Sequence, residues 1–172
     1  YKCGSLYLTV EEESLADTLV IPDSVISIGD YAFYGCSAAW FGDNGVTVIP
    51  ASTQTIGRSA FYNCMVMVGL TIPGSVKEIG PYAFYGCVRL KEVSLPDTLK
   101  KIGTRAFNNT GIYNASNGVV YADNWAVANK NGSGNVKLNK GTVGIADYAF
   151  YTCKPLREIT IPMSVRTIGT GA

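Results

Sequence analysis

The sequence predicts an α/β repeat solenoid of about six coils, each 23 residues long. Three observations predict it. The stretch "IGDYAFYGC" at residues 28–36 recurs as "IGPYAFYGC" at 79–87, with one letter changed. Proline is followed six residues later by isoleucine at Pro22/Ile28, Pro50/Ile56, Pro73/Ile79, Pro96/Ile102 and Pro162/Ile168; Asn139/Ile145 keeps the offset without the proline. Alanine and phenylalanine then follow in fixed phase at Ala32–Phe33, Ala60–Phe61, Ala83–Phe84, Ala106–Phe107 and Ala149–Phe150. One unit of this size cannot bury its apolar side alone, so copies in phase stack and share a continuous core.

Each element of the unit has a local reason. Before the proline the pattern alternates, with Leu90, Val93 and Leu95 inward and Lys91, Glu92 and Ser94 outward, which suits a short strand with one buried face. Proline ends that strand because it has no N–H to give to a ladder. A second extended piece carries Val25, Val76, Leu99 and Val165 three residues after proline, and the isoleucine six after. "YAFYGC" then reads as one helical turn, with Asp30 and Asp147 as N-caps and Pro81 in the first turn. The glycines after isoleucine (Gly29, Gly57, Gly80, Gly103, Gly169) serve a turn or a close approach between coils. Ala146 in that slot implies that a positive φ is not required there.

The phenylalanine spacings are 28, 23, 23 and 43, so insertions of 5 and 20 interrupt the array. Both fall between the cysteine position and the next strand: Cys36 to Pro50 is fourteen residues and Thr110 to Asn139 twenty-nine, against nine for Cys87 to Pro96. The first insertion, near 37–45, carries Trp40 and Phe41 in "AAWFGDNG". The second, near 111–135, reads as a hairpin, "GVVYADNWAVA", turning near Asp123–Asn124 between Tyr121 and Trp125. Equivalent loops of stacked coils share one edge, so both insertions are expected to project there. Residues 1–15 match no repeat and read as an N-terminal edge or cap, with 16–172 the repeat array. The last copy stops at "IGTGA", before its phenylalanine, and reads as a cut through a repeat with an uncovered last coil.

Composition excludes several classes. Fourteen basic residues against thirteen acidic ones leave a net charge of +1, which makes no case for nucleic acid or an anionic membrane. No run of apolar residues is long enough to span a bilayer, and "YKCGSLYLTV" lacks the apolar centre of a signal peptide. There is no histidine, which removes the commonest general base and metal ligand. Cys36, Cys64, Cys87 and Cys153 share one phase, with Thr110 in the fifth place. Zinc sites use close cysteine pairs, and these are 23 residues or more apart. A ladder of small buried thiols is the expected arrangement, and disulfides between adjacent coils are the alternative. Glu11–Glu13 reads as a solvated turn, and Asp43 and Asp123 stand in turns without the EF-hand ligand spacing. The sequence therefore predicts no enzyme, no catalytic residue, no metal and no cofactor.

The segments "IPDSVISIGDYAFYGC", "IPGSVKEIGPYAFYGC", "LPDTLKKIGTRAF" and "IADYAFYTC" resemble the BspA-like leucine-rich repeat family, over roughly residues 16–172. The resemblance implies a leucine-rich-repeat solenoid with short parallel β-strands on the concave face and short helical turns on the convex side. It also implies secreted or cell-surface microbial proteins, proposed to act in adhesion. On such a scaffold the strand face is small with few charges, carrying Val20, Val48, Thr71, Ser94, Lys137 and Thr160 two residues before the proline position and no convergent set for a small-molecule pocket. Tyr31, Tyr34, Tyr62, Tyr82, Tyr85, Tyr148 and Tyr151 form a semi-exposed stripe on the turn side, read as packing between coils or as a contact surface. The expected function is a non-catalytic module that binds a protein or surface ligand within a larger cell-surface or secreted protein. The alternative is a structural spacer that presents other domains. Trp40, Phe41, Tyr121 and Trp125 are the candidate partner contacts, because aromatic residues on loops of a rigid scaffold anchor partners. The competing reading folds them down over the coil edges. The expected partner is a protein or a cell-surface or matrix ligand, with no nucleic acid and no membrane span, and the expected location is the cell surface or outside the cell.

Overall fold

The computed structural model describes residues 21–36, 46–130, 134–151, 153 and 156–172. Residues 1–15 and the first insertion, with Trp40 and Phe41, lie outside the described residues. The described elements are β1 (Ser27–Ile28), β2 (Val46–Val48), β3 (Thr55–Ile56), β4 (Gly69–Thr71), β5 (Glu78–Ile79), β6 (Glu92–Ser94), β7 (Lys101–Ile102), α1 (Gly111–Ala115), β8 (Val119–Ala122), β9 (Trp125–Asn129), β10 (Gly134–Lys137), β11 (Gly144–Ile145), β12 (Leu156–Thr160) and β13 (Thr167–Ile168).

Two parallel ladders organise them. The strands before proline pair as β2–β4–β6 and as β10–β12. The isoleucine strands pair as β1–β3–β5–β7, with Ile28, Ile56, Ile79 and Ile102 in register, and β11 pairs with β13 through Ile145 and Ile168. Between the two strands of a coil the chain turns a corner. The N–H three residues after the proline position donates to its carbonyl in every described coil, from Val25 to Pro22, Val76 to Pro73, Leu99 to Pro96 and Val165 to Pro162. Thr53 and Thr142 fill the same buried slot, and their hydroxyls stay satisfied by donating to Val25 O (3.2 Å) and Asn139 O (2.7 Å).

The expected helical turn is not there, so the α/β description is corrected: the chain is a β-solenoid of about five turns with almost no helix. Backbone geometry gives the reason. Tyr31, Ser59, Tyr82, Arg105 and Tyr148, all at one phase, have φ between 51° and 60°. Gly35, Asn63, Gly86 and Asn109, four residues on, are also left-handed. Two left-handed residues in six are incompatible with a right-handed helix. The N–H groups are used in alternation instead. Tyr34 and Cys36 close tight turns onto Tyr31 O and Phe33 O, while Tyr31, Phe33 and Gly35 donate across to Arg58 O, Ala60 O and Tyr62 O of the next coil. Asp30 and Asp147, expected as helix caps, accept from the next coil as well, from Arg58 N (2.7 Å) and Thr170 N (2.8 Å).

The core lies between the ladders and the turns. Phe61, Phe84 and Phe107 are at most 1 % exposed, and with Phe33 they stack ring on ring at 5.0–5.3 Å between centroids. The glycine after isoleucine lets coils approach: a Cβ on Gly80 would meet the Gly57 carbonyl carbon at 2.6 Å, and one on Gly103 would meet Pro81 N at 2.5 Å.

Candidate binding surface

The second insertion changes the solenoid most. β8 and β9 form the expected antiparallel hairpin, turning at Asp123, whose φ is 51°. The hairpin does not project as a loop. β9 joins the isoleucine ladder, with Trp125 opposite Gly144 and Ala126 opposite Ile145. It comes between the strands of the fourth and fifth coils: β6 does not pair with β10, nor β7 with β11, while Asp147 N–H still donates to Ile102 O across the junction. In the third coil Ile72 N–H donates to Ser94 O of the next coil; in the fourth, Leu95 N–H has lost that partner and donates to the Asp123 carboxylate at 2.8 Å. Ala146 occupies the glycine slot here because the coil behind it is the hairpin, and its N–H donates to Ala126 O.

This geometry places the sequence-predicted contact residues. Trp125 is 1 % exposed, with its ring against Gly144. Tyr121 is half-buried, and its hydroxyl accepts from Asn139 N at 3.0 Å. Both face the junction of hairpin and coils.

The tyrosines of the turn side make a ridge. Tyr34, Tyr62 and Tyr85 stack at 4.8 and 4.9 Å, nearly parallel. Desolvation, and then the charges of Tyr85, Tyr34 and Tyr82, raise the Tyr62 pKa. Tyr31 (55 % exposed) leans on Tyr34, and Tyr148 packs edge-on to Tyr151 (69 % exposed). The ridge is interrupted at the fourth coil, where Asn108 takes the tyrosine slot and Asn109 Nδ2 donates to Tyr85 Oη at 2.7 Å. Beside that interruption a cleft of about 510 Å³ opens between the fourth and fifth coils. Tyr85, Arg105 and Asn109 stand on one wall, Ala149 and Tyr151 on the other, and Val127–Asn129 of β9 also line it.

Below the ridge Cys36, Cys64 and Cys87 are buried in phase. Cys64 and Cys87 are thiols whose Sγ atoms donate to Phe33 O and Phe61 O of the preceding coil, each at 3.1 Å. Thr110, which takes the cysteine position in the fourth coil, donates instead to Phe107 O of its own coil and accepts from Tyr113 N, so it caps α1. That cap starts the excursion into the hairpin, and Lys130 then sits 5.0 Å over the Tyr113 ring. The sequence reading did not single out Tyr113 or Asn129 as cleft residues. Neither belongs to the repeat, and only the hairpin's path brings them there. Among the described residues no group of His, Cys, Asp and Glu could hold a metal ion, and no helix is long and apolar enough to cross a membrane.

Comparison with known proteins agrees with the repeat. The model of the BspA type leucine rich repeat region matches residues 11–119 and 54–172, with six copies in all. The chain belongs to that family. It is similar to the crystal structure of a leucine rich repeat protein of T. pallidum, TpLRR, at 26 % identity and a TM-score of 0.48 over 84 % of this chain and 56 % of that one. It is similar to the pneumococcal vaccine antigen PcpA at 21 % identity and a TM-score of 0.44, over 88 % and 46 % of the two chains. A leucine-rich repeat protein from Bacteroides ovatus shows 23 % identity and a TM-score of 0.40, over 87 % and 50 %. The chain thus spans about half the length of these solved relatives. No curated protein matches it.

Proposed function

We propose that this chain is a non-catalytic binding module, part of a larger cell-surface or secreted protein, that takes a protein or surface ligand on its turn side. The observation that carries this reading is the tyrosine ridge. Large aromatic rings stand exposed at Tyr31, Tyr34, Tyr148 and Tyr151 on a backbone bonded coil to coil. Rigid aromatic side chains give much contact area at little entropic cost. Trp40 and Phe41 of the first insertion are further partner contacts, while Tyr121 and Trp125 serve binding by fixing the hairpin. Residues 1–15 are an N-terminal edge or capping segment. Family membership supports the extracellular location.

The test compares the wild-type chain with a Tyr31→Ala, Tyr34→Ala variant for binding to a panel of matrix proteins and cell surfaces. The expected result is saturable binding that weakens at least tenfold in the variant at unchanged melting temperature. If nothing on the panel binds the wild-type chain, or both bind alike, the ridge is packing and the spacer reading replaces this one.

A further inference from the structure

We propose that the cleft between the fourth and fifth coils takes a short peptide segment of a partner, held as one more coil turn between Asn109 and Tyr151. The inference rests on the protein-binding reading and names the partner chemistry for one part of the ridge.

The argument begins with the backbone. In the second coil the N–H groups of Ser59, Phe61 and Asn63 donate to Pro81 O, Ala83 O and Tyr85 O of the next coil, and in the third those of Tyr82, Phe84 and Gly86 donate to Thr104 O, Ala106 O and Asn108 O. The same three positions in the fourth coil are Arg105, Phe107 and Asn109. None of their N–H groups has an acceptor among the described residues. Across the cleft, the carbonyls of Ala149 and Tyr151 hold the positions that accept such bonds elsewhere, and among the described residues they accept none. The two turns are bonded directly at their start, Asp147 N–H to Ile102 O, and beyond that bond donors stand on one side and acceptors on the other, which is the hydrogen-bonding frame of a missing turn. A single peptide satisfies both sides, giving carbonyls to the fourth coil and N–H groups to the fifth, as in strand addition to a sheet edge.

The side chains narrow the occupant further. The phenylalanine stack runs from Phe33 to Phe107 and makes no ring contact with Phe150. The tyrosine stack stops at Tyr85. An incoming aromatic side chain at the tyrosine position stands against exposed Tyr151. Asn129 Nδ2, buried at the cleft with no partner among the described residues, offers a further donor. Among the described residues, Arg105 is the charged one that lines the cleft, and no described acidic side chain balances it there. The segment therefore carries aromatic side chains at the phase of a coil turn, with an acidic group nearby.

A synthetic peptide, IGDYAFYG, copies residues 28–35 and has this chemistry. Its binding to the whole chain is read by fluorescence anisotropy of a labelled copy and by amide hydrogen exchange. The free protein should exchange Arg105, Phe107 and Asn109 amides faster than Ser59, Phe61 and Asn63. Adding peptide should protect the first three and leave the second three unchanged. Arg105→Gly keeps the left-handed backbone and should weaken binding at least tenfold, as should replacing the tyrosine that follows the peptide's phenylalanine with alanine. No binding at millimolar peptide, or binding that leaves the three amides unprotected, overturns the inference. If the peptide fails while the ridge still binds its panel, the cleft proposal falls and the binding-module reading stands.

Discussion

The indole of Trp125 lies against Gly144, its register partner in the neighbouring strand. A Cβ added at Gly144 would come within 2.6 Å of three ring carbons. In the coils without an inserted hairpin this position is Ser27, Thr55, Glu78, Lys101 or Thr167. Glycine stands where a tryptophan covers the strand. Gly144→Ala should therefore cost about 1–3 kcal/mol by overpacking, and Trp125→Ala about 3–5 kcal/mol. The pair should be coupled, so that the double variant loses less than the sum of the two. Urea unfolding of the four proteins measures this, and strict additivity would show that the two residues do not share space.

Phe84→Ala, in the middle of the ring stack, should cost about 3–5 kcal/mol. Phe33→Ala should cost less, because Phe33 is only half-buried and has one described stacking neighbour. Equal losses at the two sites in chemical denaturation would count against a stacked core.

Asp123→Ala should leave Leu95 N–H without its acceptor at the break between coils. The expected loss is about 1–3 kcal/mol. Asp123→Asn keeps an acceptor oxygen and should recover most of it. Exchange of the Leu95 amide is the direct measurement: it should accelerate in the alanine variant and stay slow in the asparagine one.

The Cys64 thiol lies between Cys36 and Cys87. Its hydrogen bond with Cys36 pulls its pKa down, while the bond with Cys87 and burial push it up, leaving it well above the ordinary 9.0. Below pH 9.0 the folded and unfolded states both hold the proton, and this contribution to stability is intact. Above it, Cys64 ionises in the unfolded chain before the folded one, so stability falls as pH rises, by at most about 1.4 kcal/mol per pH unit from this group. Cys64→Ala should flatten that fall. At pH 8 an alkylating reagent should leave Cys64 unmodified in the native protein and label it after denaturation. Rapid native labelling would contradict the buried ladder.

Much of the fold was legible in the sequence, because stacking forces each residue of a coil into the same environment as its counterpart in the next. The phase of Ile56, Ile79 and Ile102, the phenylalanine core, the alternation around β6 and the hairpin of β8 and β9 all follow from pattern alone. The glycine slot followed too, since close approach between coils acts at the same place each time. The tertiary structure decided the rest. "YAFYGC" has the composition of a helical turn, but its alternate N–H groups bond across coils, and that network, invisible in one copy, holds residues such as Tyr82 in left-handed geometry. Where the hairpin goes was likewise undetermined. Its apolar strand finds its largest burial inside the isoleucine ladder rather than on an outer edge, which hides Trp125, aims Asp123 at Leu95 and opens the cleft beside Asn109. Those positions depend on which backbone groups the neighbouring coils leave unpaired, and only the assembled stack settles that.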